Sequence, residues 1–189
     1  MLKELLLSNR SYRRFDESYE IPREAFVKMA EAIRLTSSAG NLQRIRVLFV
    51  GGKEERGKIF ETLGFAAYLK DWNGPKEGER PTAYAVILAT EEPVGYISFD
   101  AGLATQSLLL TAREMGLGGC IFASFSKERV KEILGLSNYY PVVVVALGKP
   151  AETVKITDVQ NGDVKYYRNE LDEHIVPKLS VSDISLRPL

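Results

Sequence analysis

Apolar residues recur along this chain with two different periods. A 3–4 spacing runs through Leu2, Leu5 and Leu6, and again through Phe26, Met29, Ala30 and Ile33, where Pro22 suits the first turn of a helix. Largely apolar runs of strand length cover residues 46–50, 82–90, 120–122 and 142–147. The strongest helix pattern, 99–115, has no breaker after Gly102 and is apolar around most of its circumference, which predicts a helix in the middle of a core. Residues 53–69 also read as helix, weakened by Gly57 and Gly64. Ser126 can cap a further helix running through Leu134. Residues 9–16, 36–43 and 73–81 read as loops, and Gly51-Gly52 closes the first strand. Strands interspersed with helices predict a layered α+β or α/β domain. From 151 to 189 the chain is polar and mixed, with no core stripe, so it is expected to be an arm that packs on a partner chain, within a single domain spanning 1–189.

Charge and composition narrow the function. The 25 Lys and Arg balance the 25 Asp and Glu, and zero net charge argues against a general nucleic-acid binder. Cys120 is the only cysteine, so no intrachain disulfide can form. His174, the only histidine, lies in a charged, tail-like stretch, which disfavours both a Cys–His zinc cluster and a serine triad. No apolar stretch is long enough to span a membrane, and the first residues lack the apolar region of a signal peptide. The expectation is a cytoplasmic protein with neither membrane nor nucleic-acid partner.

Three segments could carry chemistry. Asn9-Arg10-Ser11-Tyr12-Arg13-Arg14-Phe15 packs three arginines and a serine into five residues. A phosphate monoester carries nearly two negative charges, and arginine's planar fork of donors matches its oxygens. Charge alone favours a plainer reading of this segment, a solvated basic turn paired with Asp16 and Glu17. Ser37-Ser38-Ala39-Gly40-Asn41-Leu42-Gln43 offers small side chains that let backbone approach a flat ring, and amides suited to a heteroaromatic edge. It could also be an ordinary turn after a helix. Gly116-Leu117-Gly118-Gly119 invites a dinucleotide reading, but these glycines close a helix and lead into a strand, the reverse of that fingerprint. Helix termination and close packing account for them, and Cys120 after them reads as a core thiol.

The order of these segments is what resembles a known family. Arg-Ser-x-Arg near the N-terminus is followed by Ser-Ala-Gly-Asn-x-Gln, Glu79-Arg80-Pro81-Thr82-Ala83-Tyr84 and a long apolar helix that begins Asp100-x-Gly102-x-Ala104 and ends Gly-Leu-Gly-Gly-Cys. A closing Val-Val-Val-Ala-Leu-Gly-Lys-Pro, 143–150, completes the series. Together they resemble the nitroreductase family of FMN-dependent NAD(P)H oxidoreductases. The resemblance implies an α+β three-layer sandwich with a mixed central sheet, built as an intertwined homodimer with FMN at the interface. It implies that Arg10, Ser11, Arg13 and Lys178 hold the FMN phosphate and ribityl chain. Ser37, Ser38, Ala39 and Asn41 of the partner subunit would lie against the ring, and Ala123 and Ser124 would mark the strand end whose backbone amide meets flavin N5. Gln43 is followed by Arg44-Ile45-Arg46 where many relatives have Pro-Trp, and Ala123 stands where some carry glutamate.

The implied reaction has two halves: NAD(P)H passes hydride to N5, then an electron-poor acceptor such as a nitroaromatic or quinone takes its place, giving ping-pong kinetics. No catalytic side chain is expected, no metal, and the redox chemistry is the flavin's. Alternatives are a reductive dehalogenase or flavin-fragmenting relative, a non-catalytic FMN-binding module, and a cation-rich interaction domain without cofactor. Residue patterns assign no role to Arg14, Arg168 or Cys120 and do not choose between NADH and NADPH.

Overall fold

The structure, a computed structural model, describes residues 2–69, 72–185 and 187. In chain order the elements are α1 (Leu2–Ser8), α2 (Arg23–Leu35), β1 (Ile45–Val50), α3 (Lys53–Phe60), β2 (Ala83–Ala89), α4 (Tyr96–Glu114), β3 (Gly118–Phe122), α5 (Lys127–Ile133), β4 (Tyr140–Gly148), β5 (Val154–Asp158), β6 (Tyr167–Arg168), β7 (His174–Lys178) and α6 (Val181–Ile184). The main sheet has the order β1-β2-β4-β3 with antiparallel neighbours throughout. A parallel bridge between Ser11 and Gly119 joins the N-terminal loop to β3. A second sheet, β5-β7-β6, pairs β5 with β7 in parallel and β6 with β7 antiparallel.

Side chains along a strand alternate between faces, and β2 is buried at every position. Tyr84, Val86 and Leu88, with Val144 and Ala146 of β4, face Ile59 of α3 and Val130 of α5. Ala83, Ala85 and Ile87, with Val145 and Leu147, face Met29 of α2 and Leu108, Leu109 and Ala112 of α4. A sheet covered on both sides by helices needs such a strand, and the result is the three-layer α+β sandwich expected.

Helix α4 ends in a glycine cap. Gly116 adopts φ 78°, its N–H donates to the Arg113 carbonyl at 3.0 Å, and the Leu117 N–H reaches back to Ala112 at 3.0 Å. Two residues on, a Cβ at Gly118 would lie 2.5 Å from the Tyr12 ring. The glycine cluster therefore stops a helix and lets the N-terminal loop lie close against β3.

Three expectations change. Helix α3 stops at Phe60, well short of 69, because tertiary hydrogen bonds replace helical ones. The Gly64 N–H donates to the Ser124 carbonyl at 2.8 Å, and the Ser126 N–H donates to Thr62 at 3.1 Å. Helix α4 is buried along one face only; on the other, Tyr96, Phe99 and Leu103 are 70%, 68% and 49% exposed. Residues 151–178, for which no regular core pattern was expected, form the second sheet and contact the N-terminal loop, where the Ala151 N–H donates to the Arg14 carbonyl at 3.0 Å.

Candidate functional site

The 9–16 loop is held from three sides. The Tyr12 N–H donates to Gly119 of β3 at 3.0 Å, and the Phe15 N–H donates to Glu79 at 3.0 Å. Glu152, just before β5, accepts the backbone N–H groups of Arg13 and, at 3.1 Å, Arg14 on one carboxylate oxygen. Its other oxygen accepts from Arg168 at 2.5 Å. Sequence separation puts Glu152 beyond any local motif, yet it fixes the backbone from which the arginines project.

That backbone directs Arg10, Ser11 and Arg13 into a cavity of about 280 Å³, whose far wall is Tyr166, His174, Val176 and Lys178. The structure thus brings together Arg10, Ser11, Arg13 and Lys178, residues from opposite ends of the chain. Arg13 is 9% exposed and closely held: its Nη1 donates to the Ser11 carbonyl at 3.3 Å and lies 3.2 Å from His174 Nε2, and its guanidinium carbon sits 4.7 Å above the centre of the Tyr166 ring. Because a guanidinium only donates, His174 Nε2 accepts and the imidazole proton resides on Nδ1. Two residues lining the cavity carry buried nitrogens without a hydrogen-bond partner among the described residues, Arg10 Nε and His174 Nδ1.

His174 is 1% exposed, not part of a solvated tail. Burial, with the Arg13 cation second, lowers its pKa to about 4, so it is neutral near pH 7. Burial likewise pushes the Cys120 thiol up, in keeping with a core thiol. Arg14 and Arg168 acquire structural roles: Arg14 pairs with Asp172 and with Glu79 at 3.6 Å, and Arg168 pairs with Glu152.

The remaining predicted residues lie elsewhere within the protomer. Ser37 and Ser38 line a separate cavity of about 300 Å³ together with Ile33, Gln43 and Asp100. Ala39 and Asn41 bound a short 3₁₀ turn whose Ala39 N–H donates to the buried Asp100 carboxylate at 3.0 Å. In this turn Gly40, Asn41 and Gln43 take φ of 56°, 52° and 50°, a left-handed path that side chains other than glycine and asparagine resist. Ala123 and Ser124 are exposed immediately after β3. One chain therefore shows a cationic pocket and a small-residue turn as two separate features. Sequence reasoning missed His174, Tyr166 and Glu152; the apolar His174-Ile175-Val176-Pro177 run was the one available sign of a strand there.

A three-layer α+β sandwich with a cation-lined cavity beside its β3 edge defines the class. The model of the nitroreductase family matches residues 6–71 and 69–149. An NADPH-flavin oxidoreductase of Vibrio harveyi is 26% identical over 188 residues, covering 90% of this chain and 74% of that protein. An FMN-dependent nitroreductase of Clostridium difficile R20291 superposes with a TM-score of 0.66 at 22% identity, over 80% of this chain and 88% of its own. A protein of Exiguobacterium sibiricum 255-15, described as a nitroreductase and solved in complex with FMN, gives 0.68 at 18% identity over 80% and 89%. The chain belongs to the nitroreductase family.

Proposed function

We propose that this protein is an FMN-binding oxidoreductase that takes NAD(P)H as reductant and reduces electron-poor acceptors such as nitroaromatics and quinones. The observation that carries the reading is the cavity where Arg10, Ser11, Arg13 and Lys178 converge. Three cations and a hydroxyl in one concavity suit a phosphate monoester better than any neutral ligand. The unpartnered Arg10 Nε fits it too, since it is a buried donor that lacks an acceptor and a phosphate brings several. The relatives named for FMN or flavin support the same assignment.

Bound FMN would supply the hydride-accepting and hydride-donating chemistry. The chain's part is binding and orientation. Arg10, Arg13 and Lys178 neutralise the phosphate and Ser11 donates to it. Ala123 and Ser124 present strand-end backbone toward the reacting edge of the ring, and Ser37, Ser38, Ala39 and Asn41 come from a second copy. No side-chain acid or base is assigned. Reductant and acceptor take turns at one place, so ping-pong kinetics are expected.

The exposed apolar face of α4 supports the second copy. Tyr96, Phe99 and Leu103, with Leu42 and Ile121 also 56% and 46% exposed, present large apolar side chains that a partner would cover. We assign 1–189 to one domain. Its 151–189 segment is the arm assigned to pack on the partner, and the exposed Leu179, Val181 and Ile184 offer apolar contacts for it. Among the described residues no helix is long and apolar enough to cross a membrane. A lone buried Cys120 suits a reducing cytoplasm.

The test is the visible absorption spectrum of the purified protein, before and after anaerobic NADPH. A flavin band that bleaches on reduction and returns when a quinone is added supports the reading. Protein that takes up no FMN sinks it.

A further inference from the structure

Arg10, Ser11, Arg13 and Lys178 line the cavity, and a long cationic side chain there needs something to aim it. Arg13 is the most buried of the three cations, and a free arginine side chain has many rotamers to lose on binding. Here that freedom is removed before any ligand arrives. The Ser11 carbonyl and His174 Nε2 both accept from Nη1, and the Tyr166 ring backs the guanidinium plane. His174 is itself held by Tyr166, the two ring centres lying 5.1 Å apart at 33°. Among the described residues Arg13 Nη2 makes no hydrogen bond, which leaves that corner of the fork to a ligand.

An imidazole suits this task for a reason of charge. A carboxylate at position 174 would also accept from Arg13, but it would cancel the cation that the phosphate needs. A lysine or arginine would repel it. A neutral acceptor fixes the guanidinium while leaving its full positive charge to the pocket. Glu152 is the nearby acid, and its carboxylate is already occupied by the backbone N–H groups of Arg13 and Arg14 and by Arg168.

We propose that His174 is a positioning residue for the flavin phosphate: as an uncharged acceptor it pre-orients Arg13 against Tyr166, and so gives the site its preference for FMN over riboflavin, the same ring without the phosphate. The proposal rests on the phosphate reading of the cavity and adds to it a residue that does not itself neutralise the ligand. It also differs in kind from a packing role, because a residue that only filled the core would support both flavins alike.

The experiment measures dissociation constants of FMN and riboflavin for the apoprotein, by quenching of flavin fluorescence, in the parent, His174→Leu, His174→Gln and Tyr166→Leu. The parent should favour FMN strongly. His174→Leu should lower the FMN-to-riboflavin preference about tenfold or more, as expected for loss of one hydrogen bond to a charged group. His174→Gln, whose amide oxygen can accept from Arg13, should restore most of it, and Tyr166→Leu should shift it in the same direction as the leucine variant. Should His174→Leu fail to fold, the Gln and Tyr166 variants carry the comparison. A preserved preference in folded His174→Leu, or in Tyr166→Leu if the leucine variant does not fold, would overturn the proposal while leaving the phosphate site standing. A parent that binds FMN and riboflavin equally would remove the phosphate reading itself.

Discussion

Arg168 Nη2 lies 2.5 Å from Glu152 Oε2, and only 2% of the Glu152 side chain is exposed. The pair joins β6 to the start of β5, and the second carboxylate oxygen takes the Arg13 and Arg14 backbone N–H groups. Removing the acid would leave a largely buried guanidinium and two amide donors without their acceptor. Glu152→Ala is therefore expected to cost about 3–5 kcal/mol of stability, the range for breaking one side of a buried ion pair. Urea unfolding of parent and variant measures this, and a loss below about 1 kcal/mol, typical of an exposed pair, would show that the acid is not the clamp its contacts describe.

His174 makes stability depend on pH with a definite sign. Its pKa falls from 6.5 to about 4 on folding, through burial first and the Arg13 cation second; Arg168 acts in the same direction, Glu152 opposes, and Tyr166 packs on the ring. Between those values the unfolded chain binds more protons than the folded one. Stability is unaffected by this group above pH 6.5 and falls as pH drops from 6.5 toward 4, by roughly 3 kcal/mol in all. His174→Gln should flatten the profile in that window relative to the parent. Unfolding curves at pH 7, 5.5 and 4.5 measure the difference, and parallel profiles would mean that folding does not lower the histidine's pKa.

Much of this architecture was legible because it depends on local pattern. The unbroken apolar run of β2 announces a strand with both faces covered, and glycines that follow a helix announce its end. The clustering of arginines and a serine in the 9–16 loop was legible as a candidate anion site, although charge alone favoured a solvated turn; only the fold shows that Arg10, Ser11 and Arg13 line a cavity. What stayed hidden depends on distant partners. His174 meets Arg13 across 161 positions and Glu152 meets its backbone across 139, and no spacing rule links them. Strand β5 is mostly exposed and β6 has only two residues, so neither shows the alternation that marks a strand. The apolar circumference of α4 was read as a core helix because pattern alone does not say which apolar positions the chain itself covers, and Tyr96, Phe99 and Leu103 are left open.

That ambiguity gives a prediction about assembly. Phe99 and Leu103 are one helical turn apart on the open face of α4. Phe99→Glu/Leu103→Glu adds two like charges to a surface that is expected to be dry in a dimer, where an unpaired charge is strongly disfavoured. The parent should sediment as a dimer and the variant as a monomer that loses FMN, because the turn at Ala39 and Asn41 would then be missing from the site. Analytical ultracentrifugation at the flavin wavelength reads both outcomes at once. A monomeric variant that still carries FMN would contradict a site shared between copies.

Within the N-terminal loop the three arginines should not be equivalent. Arg10 and Arg13 line the cavity, whereas Arg14 turns away to Asp172 and Glu79 and lines a different concavity with Pro150 and Thr153. A charge-assisted hydrogen bond contributes about 1.5–3 kcal/mol, so Arg10→Ala/Arg13→Ala should weaken FMN binding on the order of a hundredfold or more. Arg14→Ala removes an equal charge from the same loop and should change FMN affinity by only about twofold, since a rim charge acts mainly through screened, long-range attraction. Titration of apoprotein with FMN at two salt concentrations separates the cases: the double variant should lose affinity at both, and Arg14→Ala should differ from the parent only at low salt. Equal losses for Arg14→Ala and the double variant would mean that the loop attracts phosphate by its overall charge, and that the cavity is not where the tail is held.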